Sequence, residues 1–217
     1  MYIAIAPDQD MDMPIMKPGN EVLALLRNQP GVAISAWGFI VRGDALRDAV
    51  GGACTLTCTR YNQSSIYRID VVAGGPDWYI PFNQGEARYC DVPSGQPDGT
   101  LVVTYPMNGC ALSVHATATG NRFFHDSDGN SMGGLVVGAQ KIRVTNNDYS
   151  GPDNTTQERC RRYFGPDKDN TGGYEHTVIC IKRGAYWHVY GSAIIRVNAD
   201  AWQVKDRVPY ALGQFDD

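Results

Sequence analysis

The feature that most constrains the fold is a series of short runs rich in β-branched and aromatic residues, each bounded by Gly, Pro or Asn. Runs of this kind predict β-strands, and they recur along most of the chain. Strands are predicted at residues 32–41, 54–60, 65–72, 78–82, 100–105, 110–116, 121–125, 135–144, 174–182, 187–190 and 193–197. The chain is therefore expected to fold around β-sheets.

Only three short helices are predicted beside these strands. The first covers residues 21–27, with Asn20 as a candidate N-cap and Pro30-Gly31 after its end. The other two cover residues 44–50 and 157–164. Many strands with few helices favour an α+β fold with mixed or antiparallel sheets, built on a β-sandwich core with long loops. No repeat or shift in composition marks a boundary, so a single domain over residues 1–217 is predicted.

Charge and hydropathy exclude several classes of protein. The net charge is −4, and no Lys/Arg cluster is dense enough to neutralise a phosphate backbone, so nucleic-acid binding is not expected. The longest apolar stretches fall well short of a membrane helix, so no membrane association is expected either. The first residues lack the basic region of a classical signal peptide.

The six cysteines are predicted to be reduced, because no leader indicates an oxidising compartment. Cys54 and Cys58 should face the same side of one strand. No second pair of cysteines or histidines follows at zinc-ligand spacing, so these two are predicted to be buried apolar residues. No metal and no cofactor are predicted.

The turn Asn108-Gly109-Cys110, with a histidine downstream, suggests a catalytic site with a cysteine nucleophile. A cysteine nucleophile needs an imidazole that accepts and returns protons, and amides exposed at a glycine turn can bind an oxyanion. His115 follows Cys110 by five residues on the same predicted strand, so its side chain should leave by the opposite face. His125 is therefore the candidate partner.

Two strand registers remain open for His125. A four-residue loop at residues 116–119 would place His125 directly opposite Cys110, on the same face of the hairpin. A two-residue turn at Gly120-Asn121 would place it opposite Ala116, too far from the cysteine without a bulge.

The run Thr104-Tyr105-Pro106-Met107-Asn108-Gly109-Cys110, followed by Phe124-His125-Asp126, resembles the catalytic segment of the Burkholderia lethal factor family of glutamine deamidase toxins. The segment 78–86 is similar to a second stretch of that family. The gap between cysteine and histidine is similar to that of the cytotoxic necrotizing factor catalytic domain, which deamidates Rho GTPases. The resemblance covers residues 78–126, and Asn108 stands where the family has serine.

The resemblance implies a function and a site. Cys110 would be the nucleophile, His125 the acid and base, Thr104 the orienting third member, and the backbone at Asn108 and Gly109 the oxyanion site. The partner would be a host protein carrying the target glutamine, a translation-initiation RNA helicase or a Rho GTPase. The protein would be a bacterial toxin or effector, made in the bacterial cytoplasm and acting in the cytosol of a target cell.

Two other interpretations use the same residues differently. A cysteine protease or transglutaminase would form the same acyl-thioester from a Cys-His pair. A non-catalytic β-rich binding module would instead hold Cys110 in a disulfide and use its aromatic residues as a contact surface.

Overall fold

The computed structural model describes residues 16–43, 51–61, 65–150, 174–196, 202–205 and 211–217. The helices are α1 (Gly19–Asn28), α2 (Pro30–Ala36) and α3 (Asn146–Ser150). The strands are β1 (Gly38–Arg42), β2 (Gly52–Arg60), β3 (Ile66–Ala73), β4 (Asp77–Ile80), β5 (Ala87–Pro93), β6 (Leu101–Thr104), β7 (Ala111–Ala116), β8 (Gly120–Asp126), β9 (Gln140–Val144), β10 (Tyr174–Arg183), β11 (Tyr186–Arg196), β12 (Trp202–Lys205) and β13 (Ala211–Asp216).

Within the described ranges the strands form two sheets. The larger has nine strands in the order β1-β3-β2-β4-β6-β10-β11-β12, with β13 also paired to β11. It is mixed, because β1 with β3 and β4 with β6 are parallel while its other pairs are antiparallel. The smaller sheet, β5-β8-β7-β9, is antiparallel. The predicted α+β class is confirmed.

The larger sheet lies between the two N-terminal helices and the smaller sheet. Alternate residues of a strand face opposite sides, and β6 shows the consequence. Leu101 and Val103 belong to a core shared with Val22 and Leu26 of α1. Val102 belongs to a second core that includes Phe123 of the smaller sheet. The second core fills the interface between the two sheets.

The N-terminal region differs from the prediction. Helix α1 begins at Gly19, where the amides of Glu21 and Val22 donate to the Pro18 carbonyl, so Asn20 is not the cap. Residues 32–41 do not form one strand, because α2 starts at Pro30. Proline suits the first turn of a helix, where its missing N–H is not needed. Ala33 and Ile34 pack into the core that contains Val22 and Leu26, which we call the helix-side core. This packing outweighs the strand propensity of the segment.

Most other predicted strands are present within a few residues of their predicted ends. The two late strands at 187–190 and 193–197 are one strand, β11, and the strand at 135–144 is shortened to β9. Strands β5, β12 and β13 were not predicted. The predicted helices 44–50 and 157–164 lie outside the described residues.

Cys54 and Cys58 are buried on one face of β2, as predicted. The five cysteines in the described ranges are free thiols: Cys54, Cys58, Cys90, Cys110 and Cys180. No helix in the described part of the chain has the length and apolar character that crossing a membrane requires.

Candidate active site

Thr104 and His125 meet at the interface between the sheets. Thr104 ends β6 of the larger sheet, and His125 lies in β8 of the smaller sheet. The Thr104 Oγ1 and His125 Nδ1 atoms are 2.6 Å apart, and both residues are buried. The structure therefore brings together two of the residues that the sequence indicated, from strands of different sheets.

The hydrogen bonds of Thr104 relate the Ile80 carbonyl to the state of the imidazole. When Thr104 Oγ1 donates its single hydrogen to that carbonyl at 3.1 Å, it accepts from His125 Nδ1. In that arrangement Nδ1 carries the proton, and Nε2 carries the lone pair. Among the described residues Nε2 has no hydrogen-bond partner. This is the tautomer in which Nε2 can act as a base.

The hairpin adopts neither of the two registers considered from the sequence. His125 lies opposite Leu112, and Ala116 pairs with Asn121 across a loop of residues 117–120. Cys110 directly precedes β7, and its side chain is buried in the core between the sheets together with Leu112, the residue opposite His125. No hydrogen bond joins the Cys110 sulfur to Nε2 here.

His115 lies on the opposite face of β7, as the sequence predicted. Its ring packs edge-on against Phe124 at a centroid distance of 5.5 Å. Its Nδ1 lies 3.0 Å from the carbonyl oxygen of Gly138. His115 is therefore not near the candidate nucleophile.

The turn that carries Cys110 is held by a residue that the sequence did not indicate. Gly109 has a φ of +90°, a value that L side chains rarely adopt. Its N–H donates to Tyr149 Oη at 3.0 Å, and Tyr149 Oη donates to the Cys110 carbonyl at 2.9 Å. The Gly109 amide, one of the predicted oxyanion donors, is therefore already hydrogen-bonded. No local pattern links Tyr149 to this turn.

Burial keeps both candidate catalytic groups neutral. Burial raises the pKa of the Cys110 thiol, the Asn108 N–H opposes that rise, and the nearby charges of Asp126 and Asp128 add to it. Burial lowers the pKa of His125 to about 3. At neutral pH the resting site therefore holds a thiol and an uncharged imidazole, not an ion pair.

A cleft of about 240 Å³ reaches Cys110 from the surface. It is lined by residues of the turn, of the loop after β8, of β9 and of α3: Gly109, Cys110, Ala111, Asp128, Gly129, Arg143, Thr145, Asn146 and Asn147. His125 does not line the cleft and is covered by Phe82, whose ring centroid lies 4.8 Å from that of the imidazole. The Phe82 ring in turn stacks on Tyr105 at 5.6 Å.

The loop after β8 is ordered by its own carboxylates and by Arg143. Asp126 is buried, accepts from the Ser131 amide at 3.0 Å, and lies 3.7 Å from the Arg143 guanidinium. Arg143 also donates to Ser113 Oγ and to the Gly129 carbonyl. These contacts fix the wall of the cleft beside Cys110. The described residues contain no group of His, Cys, Asp and Glu that could hold a metal ion.

The binding-module interpretation requires a disulfide at Cys110, but Cys110 is a free thiol in the structure.

A scan of the chain against models of known protein families finds no match, and no curated protein matches it. Fold and site together describe an α+β protein with a buried Thr-His pair and a free cysteine at the end of a surface cleft.

Proposed function

We propose that the protein is a cysteine-dependent glutamine deamidase, which converts a glutamine side chain of a target protein to glutamate and releases ammonia. The observation that carries the proposal is the hydrogen bond between Thr104 and His125. It favours the proton on Nδ1 and leaves Nε2 as a base, and His125 lies opposite Leu112, two residues after Cys110.

The reaction starts from neutral groups. As the Cys110 sulfur bonds to the amide carbon of glutamine, His125 Nε2 takes the thiol proton, so no stable thiolate is required beforehand. Nε2–H then protonates the amide nitrogen, the C–N bond breaks and ammonia leaves. His125 next takes a proton from water, whose oxygen attacks the thioester carbon. The C–S bond breaks, the sulfur regains the proton, and glutamate is released.

The tetrahedral oxyanion needs hydrogen-bond donors that are in place before it forms. Since the Gly109 N–H donates to Tyr149, we assign this role to the adjoining amide of Cys110. The Asn108 N–H favours the charged form of the sulfur. The turn thus serves both the nucleophile and the oxyanion.

The substrate glutamine has to reach both Cys110 and His125. The cleft leads to Cys110, while half-buried Phe82 covers His125. Rotation of the Phe82 side chain away from the imidazole would uncover His125. The target is a protein in the cytosol of a host cell, and the sequence resemblance favours an RNA helicase of translation initiation or a Rho GTPase.

The test compares cysteines of similar exposure. Cys110 is 5% exposed and Cys58 is 9% exposed, but Cys58 lies in the helix-side core, away from the site. Host-cell lysate is incubated with wild type, Cys110→Ala and Cys58→Ala, followed by assays for ammonia and mass spectrometry of lysate proteins. We expect Cys58→Ala to retain activity and Cys110→Ala to lose it, with one glutamine converted to glutamate without chain cleavage.

Activity that survives in Cys110→Ala would refute the proposal. Cleaved target chains, or a target cross-linked to an amine, would replace deamidation by the protease or the transglutaminase reaction.

A further inference from the structure

Tyr149 contacts the turn on both sides of the Gly109–Cys110 peptide bond. Its hydroxyl accepts from the Gly109 N–H at 3.0 Å and donates to the Cys110 carbonyl at 2.9 Å. The hydroxyl of Tyr149 therefore both accepts and donates a hydrogen bond to the backbone of Gly109 and Cys110, the residue that carries the sulfur. Tyr149 is fully buried, and its ring packs on His176 at a centroid distance of 4.9 Å.

The position of Tyr149 is fixed from the other side by the start of α3. Asp148 accepts hydrogen bonds from the Thr145 N–H at 2.7 Å and from Thr145 Oγ1 at 2.8 Å. An acidic side chain that reaches back to the residue before a helix fixes where the helix begins. His176, on which the Tyr149 ring packs, accepts from the Met107 N–H through its carbonyl at 2.6 Å. Met107 before the turn and Cys110 at its end are therefore hydrogen-bonded to His176 and Tyr149, whose rings pack together.

We propose that Tyr149 is a positioning residue of the proposed deamidase, which holds the turn so that the Cys110 sulfur faces its substrate and the Asn108 N–H. The proposal rests on the proposed function for its catalytic consequence. Its effect on the Cys110 thiol does not depend on that function. A hydroxyl that bonds to two backbone groups restricts the turn, and small displacements of a nucleophile have large effects on rate.

The matched control is Tyr67. Its hydroxyl also bridges backbone, accepting from the Lys17 N–H at 3.3 Å and donating to the Lys17 carbonyl at 2.6 Å. Tyr67 is also fully buried, but it belongs to the helix-side core. Tyr67→Phe therefore removes an equivalent hydroxyl without touching the turn.

Two measurements are made on wild type, Tyr149→Phe and Tyr67→Phe. The first is the rate at which iodoacetamide alkylates Cys110, which is measured by mass spectrometry at a series of pH values. We expect Tyr149→Phe to move the pH midpoint of alkylation upward, because the Asn108 N–H no longer stays on the sulfur. The second is turnover, where we expect Tyr149→Phe to lower kcat roughly 10- to 100-fold with KM unchanged. Tyr67→Phe should match wild type in both.

An unchanged alkylation profile and kcat in Tyr149→Phe would overturn the proposal, as would equal losses in Tyr67→Phe. If Cys110→Ala proves active while the alkylation midpoint still moves, the proposed function fails and the positioning role stands. Should Tyr149→Phe not fold, hydrogen exchange of the wild-type Gly109 amide decides. We expect that amide to be protected, and rapid exchange would contradict the bridge.

Discussion

The hydroxyl of Thr104 shows how much one atom can decide in this site. It donates to a backbone carbonyl of β4 and accepts from an imidazole of the other sheet. A hydroxyl has one hydrogen, so its donation to the carbonyl requires His125 to carry its proton on Nδ1. No pattern in the sequence specifies which ring nitrogen holds the proton.

This gives a prediction for Thr104. Replacement by valine keeps the shape but removes both hydrogen bonds, so the imidazole loses its preferred tautomer and orientation. We expect Thr104→Val to lower kcat roughly 10- to 100-fold with little change in KM. Thr104→Ser keeps the hydroxyl and should recover most of the activity. Steady-state kinetics of both variants tests this, and equal activity of valine and serine variants would show that the hydroxyl has no role.

At the scale of elements, a buried ion pair joins α1 to the larger sheet in addition to their apolar packing. Arg27 donates to both carboxylate oxygens of Asp77, at 2.6 and 2.5 Å, and to the Gly99 carbonyl at 2.8 Å. Asp77 is fully buried and also accepts from the Leu101 amide at 3.0 Å. The pair therefore connects α1 to the starts of β4 and β6, the strands that provide Ile80 and Thr104 to the site.

The prediction for this contact concerns stability. Arg27→Ala leaves a buried carboxylate without its counter-ion, which costs about 3–5 kcal/mol of unfolding free energy. The control is Arg68→Ala, because Arg68 pairs with Asp70 on the exposed surface of β3. Exposed pairs are worth about 0–1 kcal/mol. Urea denaturation compares the two variants, and similar losses would show that the buried pair does not anchor the helix.

At the scale of the whole molecule, the site exists only where the two sheets pack. Packing buries His125 completely and lowers its pKa from 6.5 to about 3. The unfolded chain therefore binds a proton at this residue at a higher pH than the folded protein does. Between about pH 6.5 and pH 3, acid should favour the unfolded state through His125.

The corresponding prediction is a pH dependence of stability. The free energy of unfolding should fall as pH decreases below about 6.5, with His125 contributing up to about 1.4 kcal/mol per pH unit. His125→Asn has no titrating ring, so its stability should depend less steeply on pH over this interval. Urea denaturation at several pH values measures both slopes. Equal slopes would mean that His125 is not held neutral by burial.

The sequence determined most of the strands, because alternation and bounding turn residues are local signals. It also indicated the turn at Cys110 and the histidine in β8. Strand β5 was not predicted because its exposed residues Arg88 and Asp91 interrupt the apolar pattern. Helix α2 was read as a strand because its β-branched residues have that propensity until the helix-side core forms.

Tertiary structure alone decided the chemistry of the site. The pairing of His125 with Leu112 depends on the conformation of a four-residue loop, for which the sequence allowed more than one register. The contact of His125 with Thr104 and the bridge from Tyr149 join residues 21 and 39 or 40 positions apart. Such contacts follow from how two sheets and a helix pack together, and periodicity within one strand carries no information about them.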